Sequence, residues 1–372
     1  MRILYGVVGE GMGHAIRSRV ILDELVKKHD VQVVVSGRAH DYLAKRASEH
    51  LQVKKIWGFT IVTEDNEVRN FRTLFANLKG AFTGGWPRNV RAYFDLAYEF
   101  KPDVVVSDFE SWSYLYAVNH RLPVVSVDNM QIINRCKHDP RLIEGHEAAF
   151  QIAKGLIKTK VPGAYHYLIS TFFYPPIRKE RTTLHPPILR PEILESKSEP
   201  GQHLLVYQTY TTNKELSDIL QRSGIECRIY GLRRDLKEDV REGNLVYRPF
   251  SEQGFIEDLR TARGVVASGG FTLMGEAVYL RKPMLAQPGG KQFEQVLNCK
   301  YLEDEGFGVY ADEITDAKLR QFITRIPECE AALARYTQDG NADLLSKLDE
   351  VLASAHRRER PVPEDDPDAS LE

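Results

Sequence analysis

Two apolar runs, each broken by closely spaced glycines and followed by a helix-forming stretch, constrain this chain more than any other feature. One is Gly264-Val265-Val266-Ala267 leading into Ser268-Gly269-Gly270-Phe271-Thr272; the other is Ile3-Leu4-Tyr5-Gly6-Val7-Val8 leading into Gly9-Glu10-Gly11-Met12-Gly13-His14. Such runs suit central strands of a parallel sheet, which are covered on both faces. A glycine turn from strand to helix lets main-chain N–H groups approach a ligand, and the helix start adds roughly half a positive charge. Gly269 and Gly270 therefore read as an anion-binding device sized for a diphosphate.

Glu276 follows about one turn into that second helix, where a carboxylate can accept both hydroxyls of a vicinal diol such as a ribose. Diphosphate plus ribose points to a nucleotide. A plainer reading has Ser268-Gly269-Gly270 as a tight turn, Thr272 as helix N-cap and Glu276 on a solvated face. The next strand, Pro283 to Ala286, gives way to Pro288-Gly289-Gly290-Lys291-Gln292 and a helix opening with Glu294 and Gln295. Polar residues there occupy the sheet edge at which α/β proteins bind ligands. Gln208 and Thr209, after the strand His203–Tyr207, are placed to donate to the diphosphate, and Phe250 to shape a base pocket; ordinary turn chemistry accounts for them equally well.

The first glycine loop departs from the dinucleotide fingerprint, because His14 stands where the third small residue belongs. Nor does the strand Val31–Val35 end in the acid that would hold an NAD ribose, although Arg38 leaves a 2′-phosphate reader open. Gly11 and Gly13 still give the loop its close backbone approach. An imidazole at a helix start is held toward its neutral form by the helix dipole, which suits a general base, so His14 is the candidate catalytic residue. The buried strand Val104-Val105-Val106-Ser107 delivers Asp108 to the same sheet edge. If the two meet, the carboxylate orients the imidazole and stabilises the imidazolium. The alternative for Asp108 is to cap the helix near Trp112.

With 372 residues and 42% hydrophobic content, the chain can bury two cores. A net charge of −2 argues against nucleic acid as a partner, which would require a basic face. Cys136, Cys227, Cys299 and Cys329 lack metal spacing, so free thiols, no metal and a cytoplasmic setting are expected, and neither a signal peptide nor a membrane-crossing run is evident. Strands and helices alternate twice, predicting two doubly wound α/β units: 1–175, then a Pro-rich linker 176–201, then 202–340, with a terminal helix 341–356 and a disordered tail 357–372.

These residues together resemble the GT-B nucleotide-sugar glycosyltransferases, near the MurG and UDP-glycosyltransferase grouping, from Arg2 to about Ala355. The more specific match is Ser268-Gly269-Gly270-Phe271-Thr272, Glu276, Pro283, Glu294-Gln295 and Asn298, in the order of the family's donor-binding segment. The resemblance implies a GT-B fold, two Rossmann-like domains facing a central cleft. It implies that Ser268 to Thr272 hold the diphosphate, Glu276 the ribose, and Glu294-Gln295 the sugar hydroxyls, with His14 as base and Asp108 as its support. Two departures stand out: many relatives carry histidine at Ser268 and aspartate at Glu294, which puts one phosphate donor and the identity of the sugar in question.

The expected activity is inverting, metal-independent transfer from a nucleoside-diphosphate sugar, UDP-linked by the resemblance, to an unidentified acceptor hydroxyl, with no cofactor. A nucleotide-sugar epimerase or a non-catalytic nucleotide-sugar-binding subunit would use the same cleft. Arg69 to Phe100 interleaves aromatic and basic residues; it fits core-packed helices with snorkelling cations, an acceptor wall, or a surface for peripheral contact with anionic lipid.

Overall fold

The computed structural model describes residues 1–9, 11–58, 63–64, 67–68, 86–208, 215–290 and 292–357. Both apolar runs become inner strands, as their lack of polar alternation requires. In the first domain these are β1 (Arg2–Val7), β2 (Asp30–Val35), β3 (Leu51–Lys55), β6 (Val104–Asp108), β7 (Val124–Asp128), β8 (His166–Ser170) and β9 (Thr182–His185), with β4 (Thr63–Glu64) and β5 (Glu67–Val68) forming a separate short pair. The sheet order is β3-β2-β1-β6-β7-β8-β9, parallel throughout.

The second domain repeats the plan with β10 (Leu204–Tyr207), β11 (Cys227–Tyr230), β12 (Val240–Glu242), β13 (Leu245–Tyr247), β14 (Gly264–Ser268), β15 (Met284–Gln287) and β16 (Gly308–Tyr310). Its order is β12-β13-β11-β10-β14-β15-β16, and β12 alone runs antiparallel. In each sheet the winding reverses beside the first strand, between β1 and β6 and between β10 and β14. Ligands bind α/β sheets at that crevice. Val7 lies opposite Asp108, and Tyr207 opposite Ala267, so the glycine loops and Asp108 all emerge at switch points.

The Pro-rich segment differs from a plain linker. Thr182–His185 adds a seventh strand to the first sheet before Pro186 and Pro187 end it, so that sheet extends ten residues past the expected boundary at 175. The helix Ala342–His356 returns to the first domain, burying Leu344, Leu348, Val351, Leu352 and Ala355 against Val104, Val125 and Leu168. The tail from 358 and most of Arg69–Phe100 lie outside the described residues; Trp86–Asp95 is helical.

The domains also share a core. Ile132, Ile133, Phe172 and Phe173 of the first pack with Phe271, Phe293 and Tyr301 of the second, and the Phe173 and Tyr301 rings stack at 3.9 Å. Burying several aromatic rings in one cluster holds the two switch points in a fixed relation. Among the described residues, no helix is long and apolar enough to cross a membrane.

Candidate active site

Gly11, at φ 84°, ends the first glycine loop and caps the helix Met12–Leu25. On the first turn of that helix, His14 directs Nδ1 to Asp108 Oδ1 at 2.8 Å. Arg17 Nη2 also lies 2.8 Å from Nδ1, so the nitrogen faces both a carboxylate acceptor and a guanidinium donor; the tautomer that donates from Nδ1 to Asp108 leaves Nε2 as the ring's acceptor. The His14 side chain keeps 19% exposure, whereas Asp108 has none. The cap at the start of the Ser111–His120 helix is Glu110, which accepts from the N–H groups of Trp112 and Ser113; Asp108 is thereby left to its own partners.

Those partners include two residues that sequence reasoning missed. Arg17, one turn beyond His14, reaches Asp108 Oδ1 through Nη2 at 2.5 Å and Oδ2 through Nε at 3.2 Å, and Ser18 donates to Oδ2 at 2.9 Å. The i, i+3 and i, i+4 spacing places His14, Arg17 and Ser18 on one helical face, which was the available signal. Burial pushes the Asp108 carboxyl up, but Arg17 and His14 outweigh it and hold it at about 2. With a full cation already beside it, Asp108 offers His14 orientation more than charge.

Arg17 continues into the second domain. Its Nη1 donates to Asn129 Oδ1 at 2.8 Å, and Asn129 Nδ2 donates to Glu294 Oε1 at 2.6 Å. Asn298 Nδ2 approaches the same oxygen at 3.4 Å and donates to the Gly269 carbonyl at 3.2 Å. A polar chain therefore runs from the histidine, across the gap between domains, to the second glycine loop. Asn129 was not singled out from sequence; a lone asparagine after a strand carries no distinguishing pattern.

The glycine loops themselves meet. A Cβ on Gly13 would lie 2.6 Å from Thr272 Oγ1, so the first loop abuts the second helix start and a side chain at position 13 would have to displace the Thr272 hydroxyl. Gly269 owes its identity to packing, since a Cβ there would come within 2.6 Å of the Gln295 carbonyl and 2.7 Å of Cys299 Sγ. Gly270 is the N-cap of Phe271–Tyr279 and has open space before it. The N–H groups of Phe271, Thr272 and Leu273, in the first turn, have no intrahelical acceptor and are available to an anion.

The remaining predicted residues divide. Thr272 makes no capping hydrogen bond, contrary to the plainer sequence reading. Phe271 turns its ring into the shared core, stacked on Phe172 at 6.0 Å, so only its main chain faces the loop. Gln295 is spent on its own turn: Oε1 accepts from Gly289 N–H at 2.7 Å and Nε2 donates to Gln292 at 3.0 Å. Gln208 is buried at the end of β10, and its Oε1 has no partner among the described residues. Phe250, after β13, is 74% exposed. Thr209 lies outside the described residues.

Glu276 is buried, and both its oxygens are already engaged. Arg190 grips them through Nε at 2.7 Å and Nη2 at 3.0 Å, while its Nη1 reaches Glu252 at 2.7 Å. The carboxylate expected to read a ribose is thus paired with a guanidinium from the inter-domain segment. All four cysteines are free and buried, and among the described residues no group of His, Cys, Asp or Glu is arranged to hold a metal ion.

Comparison with known proteins places this geometry. Uncharacterized glycosyltransferases of Methanosarcina acetivorans and Methanosarcina mazei are 24% and 25% identical over 330 and 337 residues, each spanning 83% of this chain and 85% of its relative. The glycotransferase of kitacinnamycin superposes with a TM-score of 0.63 at 16% identity, covering 97% of this chain and 99% of that one. The calicheamicin glycosyltransferase CalG4 gives 0.63 at 14% identity over 95% and 98%, and Arabidopsis thaliana UGT89C1, solved with UDP, gives 0.61 at 14% over 95% and 99%. The fold is the GT-B arrangement of two Rossmann-like domains. The family description for glycosyl transferase family 1 matches residues 1–327, and the chain belongs to that family.

Proposed function

We propose that the protein transfers a sugar from a nucleoside-diphosphate sugar, UDP-linked, to an acceptor hydroxyl by direct displacement with inversion. The observation that carries this reading is the meeting of the two loops: His14, oriented by Asp108, follows the glycine that abuts the Thr272 end of the second anion-binding helix start. Family membership supports transfer, and UDP bound to UGT89C1 and to LpCGTa supports the choice of nucleotide.

In the proposed reaction the acceptor hydroxyl gives its proton to His14 Nε2 as its oxygen attacks the anomeric carbon. The bond from that carbon to the β-phosphate oxygen breaks, and the nucleoside diphosphate leaves with the electron pair. Asp108 holds the imidazole in the tautomer that can accept. The N–H groups of Phe271 to Leu273 and the helix dipole stabilise the leaving diphosphate without a divalent cation. Glu294, fixed by Asn129, faces the transferred sugar, and Phe250 offers a stacking surface to the base.

Exposed Val90, Phe94 and Tyr98 on the Trp86–Phe100 segment suit an acceptor presented at a membrane surface. Sedimentation with anionic liposomes tests that element alone. A thermal-shift panel of UDP, GDP, dTDP and NAD(P) tests the donor. Selective stabilisation by UDP is expected, and stabilisation by NAD(P) alone would reject the reading. Replacing His14 by alanine should abolish transfer while leaving UDP binding intact.

A further inference from the structure

The segment joining the domains enters the nucleotide cleft through one side chain, Arg190. Its fork meets Glu276 oxygen for oxygen, and both residues are nearly buried, at 6% and 2% exposure. Arg190 is also the N-cap residue of the turn Pro191–Leu194, and its carbonyl accepts from the N–H groups of Ile193 and Leu194 at 3.0 and 3.2 Å. Glu192 in that turn pairs with Arg19 of the first domain at 2.7 Å, and Arg19 lies 3.8 Å from Glu252 of the second. Two guanidiniums and three carboxylates thus tie the first domain, the connecting segment and the second domain into one ionic ladder that ends on Glu276.

We propose that Arg190 is a latch: it occupies Glu276, and a ribose diol displaces it, releasing the Arg190–Glu195 turn. This rests on the assignment of Glu276 to the nucleotide ribose. Arg190 closes over the carboxylate, so a diol that takes both of its oxygens has to displace the guanidinium. Two hydroxyls return the two hydrogen bonds that Arg190 takes away but not its charge, so the other contacts of the nucleotide have to offset the broken ion pair. A single hydroxyl leaves one buried oxygen unpaired, which a low-dielectric site penalises. The latch therefore couples recognition of the diol to the ladder between domains and discriminates against deoxyribose.

The groups facing Glu276 are Arg190 and Glu192 from the connecting segment and Glu252 from the helix Glu252–Arg260, with Arg19 and Tyr42 behind Arg190. Burial pushes the Glu276 carboxyl up, with Arg190 pulling against it.

Hydrogen exchange of the full chain tests the latch, read at the amides of Ile193, Leu194 and Glu195, with UDP and with 2′-deoxy-UDP as probes. UDP should speed exchange at these amides at least threefold, and 2′-deoxy-UDP should bind at least tenfold more weakly and leave exchange unchanged. In Arg190→Gln the same amides should exchange fast without nucleotide, and UDP should add nothing. Unchanged exchange in wild type at saturating UDP, where Glu276→Gln still weakens UDP, overturns the latch alone. UDP affinity indifferent to Glu276→Gln overturns the ribose assignment and the latch with it. The wild-type comparison of the two nucleotides stands even if Arg190→Gln does not fold.

Discussion

Replacing Asp108 by asparagine removes one negative charge from the most buried polar group of the site. Arg17, whose side chain is 4% exposed, then loses its hydrogen-bonded counter-ion and keeps Asn129 as an acceptor, with the Asp128 carboxyl as the more distant charge. Breaking a buried ion pair from one side costs about 3–5 kcal/mol, because the remaining charge is left desolvated. For a domain of this size each kcal/mol moves the melting temperature by roughly 2–4 °C, so the first domain should melt roughly 6–20 °C lower.

A second signature comes from acid. The Asp108 carboxyl falls from 3.8 to about 2 on folding. A depressed acid stabilises the fold above its unfolded value and loses that contribution as pH falls through the folded one. The contribution is on the order of 2–3 kcal/mol, present above roughly pH 4 and gone near pH 2. Calorimetry of wild type and Asp108→Asn from pH 7 down to pH 2 measures both effects. The variant should be less stable at neutral pH and should show a shallower acid limb. A variant melting within 2 °C of wild type, with the same acid limb, would refute the argument that Arg17 and Asp108 form a desolvated pair.

Other consequences can be checked independently. Gly13→Ala drives a Cβ into Thr272 Oγ1 and should weaken transfer at a strain of about 1–3 kcal/mol, while adding Thr272→Ala, which removes the offending oxygen, should restore most of it. Gly269→Ala meets main chain at Gln295 and the Cys299 sulfur, so it should lower thermal stability without a comparable rescue by trimming one side chain. The four cysteines should be inert to a thiol reagent in the native protein and react on unfolding, since burial pushes Cys136 and Cys227 up to about 12 and Cys299 well above its ordinary value. Removing residues from Asn341 onward deletes five buried side chains of the first core, uncovers their partners such as Val104, Val125 and Leu168, and should give an aggregating or poorly folded protein, by expression yield and calorimetry.

The architecture was legible because it rests on local signals. Apolar runs without polar alternation become inner strands, and glycine turns mark their carboxyl ends. Asp108 and His14 could be paired from sequence because both fall at such ends and the winding order brings their strands side by side. The final helix could be read from its apolar spacing. What escaped was set by contacts distant in sequence. Asn129 finds Glu294 across 165 residues, and Arg190 finds Glu276 across 86, with nothing local to announce either. The Pro-rich stretch hid β9, because prolines on both sides concealed four residues that pair only once the sheet exists. Phe271 and Gln295 were drawn toward the ligand by their place in a motif, whereas packing and a turn hydrogen bond claim their side chains.

The most direct test is a crystal structure with a UDP-hexose bound. The account predicts the diphosphate within about 3 Å of the N–H groups at Phe271 to Leu273, and the anomeric carbon turned toward His14 Nε2 across the gap spanned by Asn129 and Glu294. A nucleotide seated away from the Gly270 helix start, or an anomeric carbon with His14 on its leaving-group side, would contradict it.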